Sequence, residues 1–529
     1  MKDKYAGSLD ILLVGYEEWE NLGLRSIAAF LAEHGVRVHV QPYDNISRAD
    51  ILDAVRRGQP RIVGFSLIFQ RMLYDFTALI RFLRDNGITA HLTMGGHFPT
   101  VEPTATLEAI AGLDSVVRCE GEHTLLELFN YIDRPDSWAE IKGLAYRRNG
   151  EIELTPPRPL IHNLDELPFP LRSDQTITHR GLGICPILSS RGCHYDCSFC
   201  SIHQFYNQAP GPKRRTRSPG NVVQEIVQLF HERCVRIFIF DDDDFVMRSR
   251  QQRQWIGEFV AELRKSKLAD QILWRISCRI DDLESESIKK MVDVGLASIY
   301  LGIESGNDQG LRTFNKHYSV ADIYKALEVL YDLEMPFEFG FMILNPDSTF
   351  ATVKDDIAFL KDIGATGRAV VHFTKTVPYA GTPMACRLHR QDRLKGTLAA
   401  PDYTYTDSRL SLLQSFFTEA FHYRNFDNNG LVERLRHAKF DAVVLRRFFS
   451  SQYDTESYTN VIADMIRQAN AQCLEMMSLA TSLMAQRSEK EILDNWSVLE
   501  RLIQQEKAVE SSITTSLDWL MRCYGYAPQ

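Results

Sequence analysis

Three cysteines carry the clearest chemistry in this chain. Cys193, Cys197 and Cys200 stand in ILSSRGCHYDCSFCSIHQF (187–205) at CxxxCxxC spacing, directly after a short apolar run with strand character. Thiolate sulfur is the soft ligand that iron–sulfur chemistry needs, and a single tight loop can present three sulfurs to three irons. A four-iron cluster held this way keeps one iron without a protein ligand, which is an open position for chemistry. The alternative is a zinc loop. Zinc wants a fourth ligand, for which His194 and His203 are close enough in sequence.

The elements that must position this loop come from the patterning around it. From 184 to about 387, apolar strand patterns (184–189, 236–240, 273–277, 298–303, 337–344 and 369–374) alternate with helical ones. Six such units predict a partial (β/α) barrel with its chemistry at the strands' carboxyl ends. Polar residues gather there: Asp241 to Asp244 after the second strand, Arg279 after the third and Glu304 after the fourth. Four adjacent carboxylates repel one another and are costly in a core, but at a strand end they can hold a cation. A divalent-metal site or a solvated loop is the other reading of that run.

Residues before the barrel form a second α/β unit. Strand patterns at 11–14, 36–40, 62–66 and 91–94 alternate with helical ones, which predicts a parallel, doubly wound sheet over 1–140. Its ligand loops should be 15–23, 66–71, 95–100 and 118–124, beyond the strand ends. A hairpin signal around Asn149-Gly150 and five prolines in 155–172 read as a connector over 141–180. The barrel is assigned to 181–395. Long helical patterns fill 396–529, where Phe416, Phe417, Phe421, Tyr423 and Phe426 cluster. This α-helical domain is expected either to cap the barrel mouth or to dimerise.

Composition sets outer limits. A chain of 529 residues has room for about three domains, and 44% apolar with 24% charged residues is ordinary for a packed protein. A net charge of −9 gives no general basis for nucleic-acid binding. Seven further cysteines (Cys119, Cys185, Cys234, Cys278, Cys386, Cys473, Cys523) are scattered without ligand spacing and are expected mostly as small buried residues. No stretch reaches membrane-spanning length and the N-terminal apolar run is too short for a signal peptide. A reducing cytoplasm is therefore expected, with no membrane and no nucleic acid among the partners.

With Phe199 before its last cysteine, the loop resembles the signature of the radical S-adenosylmethionine (SAM) superfamily, in which SAM binds the open iron. The first unit resembles a Rossmann-like cobalamin-binding domain, whose motifs are DxHxxG, SxL and GG. Here they read Glu18-Trp19-Glu20-Asn21-Leu22-Gly23, then Ser66-Leu67-Ile68, then Gly95-Gly96-His97, followed by Gly121-Glu122. Glu20 stands where the cobalt-ligating histidine would be, so the resemblance implies cobalamin without a histidine on its lower face. Phe69, Gln70 and Arg71 are the nearest candidates to line that face.

The same resemblance assigns the SAM ammonium to Asp242 and Asp243 of a DDxF pattern, while Arg279, able to pair with a carboxylate, and Glu304, able to accept from ribose hydroxyls, match positions that recur in relatives. A structural salt bridge is the other reading for the last two. Asn345 to Thr349 departs from the usual GxPGET-like turn, and Tyr379 in PYAGTP faces either substrate or solvent. The basic run Lys213-Arg214-Arg215 with Arg217 reads as a solvated loop, with a phosphate or carboxylate contact as the other reading.

As a whole, the resemblance implies a cobalamin-dependent radical SAM methyltransferase using a 4Fe–4S cluster, SAM and methylcobalamin. It would methylate an unactivated carbon, or less readily phosphorus, of a small molecule through a 5′-deoxyadenosyl radical. Cys193, Cys197, Cys200 and Tyr379 are the catalytic candidates, and a flavodoxin- or ferredoxin-type donor would supply electrons. A cyclase or rearrangement enzyme without methyl transfer is the enzymatic alternative, and a cobalamin-responsive binding module the non-enzymatic one.

Overall fold

The computed structural model describes residues 8–17, 19–43 and 47–526. Glu18 of the first cobalamin-type motif lies outside them. The first sheet has seven strands, in the order Val38–Pro42, Ile11–Gly15, Ile62–Ser66, His91–Gly95, Ser115–Val117, Leu144–Arg148, Glu151–Leu154. The first five run parallel and the last two antiparallel. Strands Ile11–Gly15 and Ile62–Ser66 are almost wholly apolar because helices cover both faces. The Asn149-Gly150 hairpin is therefore part of this sheet and not of the connector, so the first domain extends beyond 140 to Leu154.

The second sheet also has seven strands, in the order Thr374–Lys375, Phe337–Leu344, Leu296–Glu304, Leu273–Cys278, Val235–Phe240, Leu182–Ile187, Ile177–His179. All neighbours are parallel except the last pair, giving a curled, open half-barrel. Side chains alternate across it: Trp274, Ile276 and Cys278 join the core under the outer helices, while Leu273 meets Val444 on the inner face.

The sixth strand is far shorter than the patterning predicts. Residues 369–373 are apolar but only Thr374–Lys375 pairs with the sheet. Their backbone groups go instead to the helical domain. Asn470 accepts from Val371 N (2.9 Å) and donates to Ala369 O (3.0 Å), Arg424 donates to Val371 O and Asn425 to Phe373 O. Satisfied this way, the segment has no need of a strand partner.

The helical domain does not cap the mouth with its second helix. Helix Leu431–Phe448 sends Phe440, Val443 and Val444 against Ile184, Ile237, Leu273 and Ala297, which lie toward the strands' amino ends. It plugs the floor of the half-barrel, opposite the cysteine loop.

The plug is anchored by Asp441, whose side chain is fully buried. Its carboxylate accepts from Arg180 Nε and Nη2 (2.5 and 2.7 Å), His179 Nε2 (2.6 Å) and Tyr458 OH (3.0 Å). Burial alone would raise its pKa, but the hydrogen bonds from Arg180 and His179 outweigh it and hold the group below the ordinary carboxylate value. Asp441→Ala should lower stability by roughly 3 kcal/mol, because Arg180 is left buried without a counter-charge. The midpoint of chemical denaturation near pH 7 measures this. A depressed carboxylate contributes fully above its unfolded pKa of about 3.9 and loses its effect as pH falls through the lower folded value, so the difference should vanish only in acid below that.

Candidate active site

The cysteine loop is shaped from both sides. Ser190–Arg191 pairs with Arg215–Thr216 as a short ribbon, and Gly192 follows at φ +86, where an added Cβ would strike the Lys213 carbonyl. Ser198 N donates to Phe314 O (3.0 Å) and its hydroxyl to Thr313 O (2.6 Å), fixing the CSFC turn against the half-barrel. Phe199 packs edge-on to Phe314. Cys197 is buried, and Cys193 and Cys200 are half-buried. Burial, with Asp243 nearby, pushes the Cys193 thiol up to about 12 and that of Cys200 to about 11. Among the described residues no three His, Cys, Asp or Glu side chains converge so as to hold one metal ion. Three thiols in one loop can each reach a separate iron of a cluster.

The strand-end acids separate into distinct roles. Asp242 is buried and accepts from Ser189 N (3.1 Å), Ser189 Oγ (2.7 Å) and Ser190 Oγ, so it braces the loop and is not free for a ligand. Among the described residues Asp243 accepts only from Gly192 N (3.0 Å), and burial raises it to about 6. Asp244 is buried with neither oxygen hydrogen-bonded; burial and the neighbouring Asp282 raise it well above the ordinary range. Of the two acids assigned to SAM, only Asp243 faces the cavity described below.

Arg279 is also partly spent. Its fork is bidentate to Asp281 (2.9 and 3.0 Å), while Nη1 reaches Cys197 Sγ at 3.2 Å and the guanidinium stacks 3.7 Å from the Tyr195 ring centre. Glu304 meets Lys316 Nζ at 3.4 Å. Sequence reading missed Lys316, a lone lysine in a loop with no motif around it. Burial opposes its charge, but Glu304 outweighs burial and holds its pKa above the ordinary value. Asn345 replaces the usual glycine turn by accepting from Asp347 N (2.9 Å).

The basic run is not solvated. Lys213 donates to Tyr206 O and Ala209 O, Arg214 to Asp244 O and Phe245 O, Arg215 to Glu120 and Arg217 to Glu225. Backbone carbonyls and carboxylates from other segments satisfy these cations, which periodicity in one segment cannot reveal.

A cavity of about 580 Å³ lies between the two sheets' carboxyl ends. Gly23, Ser66, Gly95, Gly96, His97 and Gly121 line it from the first domain, and Ser190, Arg191, Asp241 and Asp243 from the half-barrel. At Gly96, φ is +113 and a Cβ would run into the Leu67 carbonyl, so only glycine lets the strand-end loops converge there. Burial pushes His97 down to about 4, leaving a neutral ring edge-on to Phe205.

Three expected cobalamin contacts are placed otherwise. Glu20 is on the cavity wall, but its oxygens take Arg172 Nη1 (2.7 Å) and Ser173 N (2.6 Å). Leu67 is buried behind the wall. Gln70 points away, accepting from Ala380 N (3.0 Å) and donating to Leu398 O. Phe69, 52% exposed, and Arg71, whose guanidinium lies 5.6 Å from the Phe69 ring, do line the cavity. Glu122, also lining it, pairs with Arg191 (2.7 Å). Tyr379 is half-buried, burial raises its pKa, and the Arg71 charge acts on it from the first domain.

Two domain families match the chain: the B12 binding domain over residues 9–129 and the radical SAM superfamily over residues 187–360. The chain thus unites a B12 binding domain and a radical SAM domain. A Pyrococcus horikoshii protein named as an uncharacterized methyltransferase is 28% identical over 68% of this chain and 76% of its own length. The anaerobic magnesium-protoporphyrin IX monomethyl ester cyclase of Cereibacter sphaeroides is also 28% identical, over 59% of this chain and 51% of its own. The fold is that of the cobalamin-dependent SAM radical enzyme OxsB with aqua-cobalamin and SAM bound (TM-score 0.69, 16% identity, 98% of this chain and 80% of that one). It also matches the radical SAM methyltransferase TsrM from Kitasatospora setae with cobalamin and a 4Fe–4S cluster bound (TM-score 0.61, 18% identity, 73% and 75%).

The enzyme's cofactors are accordingly a 4Fe–4S cluster, SAM and cobalamin. The residues present fit them: three free thiols in one loop, and a glycine-walled cavity at the sheet's carboxyl edge. Cys197→Ala should fold normally by circular dichroism but fall well below the roughly four irons per chain of the reconstituted wild type. Gly96→Ala should weaken cobalamin retention at least tenfold while iron content is unchanged, as read by absorbance after gel filtration.

Proposed function

We propose that the enzyme methylates an unactivated carbon of a small metabolite. Support comes chiefly from one observation: a single cavity has cobalamin-domain loops on one wall and half-barrel strand ends on the other, next to the cysteine loop. When bound, the cluster with SAM supplies a radical initiator and the corrinoid supplies the methyl group. The protein's own residues orient and enclose. Asp243 is placed to meet an ammonium, Glu304 to accept from ribose hydroxyls, and Lys316 with Arg279 to meet a carboxylate near Cys197. Phe69 and Arg71 would offer a bound corrinoid an aromatic ring and a cation on the cavity wall. Tyr379, in the loop against the first domain, would border the substrate.

Supply of electrons by a flavodoxin- or ferredoxin-type donor in a reducing cytoplasm belongs to the same reading. Ring closure without methyl transfer is the second reading, favoured by the cyclase relative. No helix among the described residues is long and apolar enough to cross a membrane.

The test uses anaerobically reconstituted enzyme and SAM carrying a trideuterated methyl group, with a small-molecule extract as substrate source. Methylation predicts 5′-deoxyadenosine and S-adenosylhomocysteine together, and label in a product heavier by one methyl. Deoxyadenosine with an unlabelled product of unchanged carbon count would instead establish the cyclase reading.

A further inference from the structure

The inner face of the half-barrel below Glu304 holds charges that the cofactors do not account for. Leu273, Arg275 and Ser277 alternate with the outward Trp274 and Ile276, so Arg275 projects inward above the floor that Leu273 forms with Val444. It is exposed to solvent, and among the described residues it has no hydrogen bond or ion pair. Tyr300 lies on the next strand, 36% exposed despite its inward position, and its hydroxyl has no partner among the described residues. Beside it, in register, is Glu338.

From the floor helix come Arg436 (Nε–Glu338 Oε2, 3.3 Å) and Lys439 (Nζ–Glu338 Oε1, 2.6 Å). One carboxylate thus serves two cations, and Arg436 Nη2 remains buried without a partner. Arg436 and Lys439 therefore meet Glu338 beside Tyr300, and Arg275 lies one step below Tyr300 on the same inner face. Asp241 is the other acid within reach of Arg275, but no ion pair forms between them.

Solvent reaches Arg275 and Tyr300 on this inner face, and a pair of glycines lets the neighbouring side chains lie across the strands. Gly302 and Gly340 are in register one step above Tyr300 and Glu338. A Cβ on Gly340 would lie 2.8 Å from Tyr300 Oη, and one on Gly302 2.9 Å from Glu304 Oε1. The slot runs from the Tyr300 level up to Glu304, roughly 13 Å of strand.

We propose that the substrate carries an anionic group, phosphoryl or carboxylate, held by Arg275, Arg436 and the Tyr300 hydroxyl at the base of this slot. This identifies the substrate class for the catalytic reading above and rests on it. Two guanidinium groups with open donors and a free hydroxyl form a charge-assisted set that suits either oxyanion. The reacting carbon then lies several bonds from the anion, toward Glu304.

The test is protection from phenylglyoxal, mapped by mass spectrometry on the full chain without cofactors, so that it succeeds or fails independently of methyl transfer. Inorganic phosphate and acetate are compared with chloride at matched ionic strength. The exposed Arg250 serves as the surface control. Slowing of Arg275 labelling on the order of fivefold by phosphate or acetate, with Arg250 unaffected, is expected, and the more effective anion distinguishes phosphoryl from carboxylate. In Arg436→Met the protection should weaken. Equal labelling of Arg275 in all three salts, equal protection of Arg250, or failure of Arg275 to label at all would overturn the proposal.

Discussion

Glu120 is the point on which the two halves of this enzyme close. Its carboxylate takes Arg215 Nη1 through both oxygens (2.9 and 2.8 Å), Arg191 Nη1 (3.1 Å) and Ile161 N (2.7 Å), while Glu122 holds the other arm of Arg191. Burial alone would raise the Glu120 pKa, but Arg191 and Arg215 outweigh it and hold the group below its ordinary value. These charges are costly to bury singly, so the set is favourable only when both domains are in place. Arg191 sits two residues before Cys193, and Glu120 and Glu122 sit on the cavity wall. The clasp therefore sets the spacing between the cysteine loop and the cobalamin domain, which a reaction shared by two cofactors needs fixed.

The helical domain serves the same end from below. Long helices can satisfy apolar surface anywhere, but here specific polar groups direct them. Asp441 captures the edge strand through His179 and Arg180, and Asn470, Arg424 and Asn425 take the backbone of 369–373. An open half-barrel has two vulnerable edges. Both are covered by side chains of one appended domain, which also fills the floor.

How much of this was legible depended on how local each feature is. The cysteine loop, the βα alternation and the glycine-lined strand ends are short-range patterns, and they were read directly. The acidic run was read as a type, but Asp242, Asp243 and Asp244 differ only in what surrounds them: two serines, one backbone amide, and no donor at all. Gln70, Glu20 and the arginines after the cysteine loop have partners 8 to 328 residues away. Except for Arg217 and Glu225, eight residues apart, no short window of sequence contains those pairs. Lys316 had no motif to mark it, and the hairpin at Asn149 was recognised as a hairpin but not as an extension of the first sheet, because edge addition depends on Ser115–Val117 being free to pair.

Gln70 adds a mechanical property to the molecule. The turn it begins presents Phe69 and Arg71 to the cavity, while its amide grips Ala380 and Leu398 in loops that follow the half-barrel's last strand. A rigid crossbar thus spans the first domain and the PYAGTP loop, with Tyr379 beside its far end. The placement of Phe69 on the cavity wall and that of the PYAGTP loop are therefore set through one side chain.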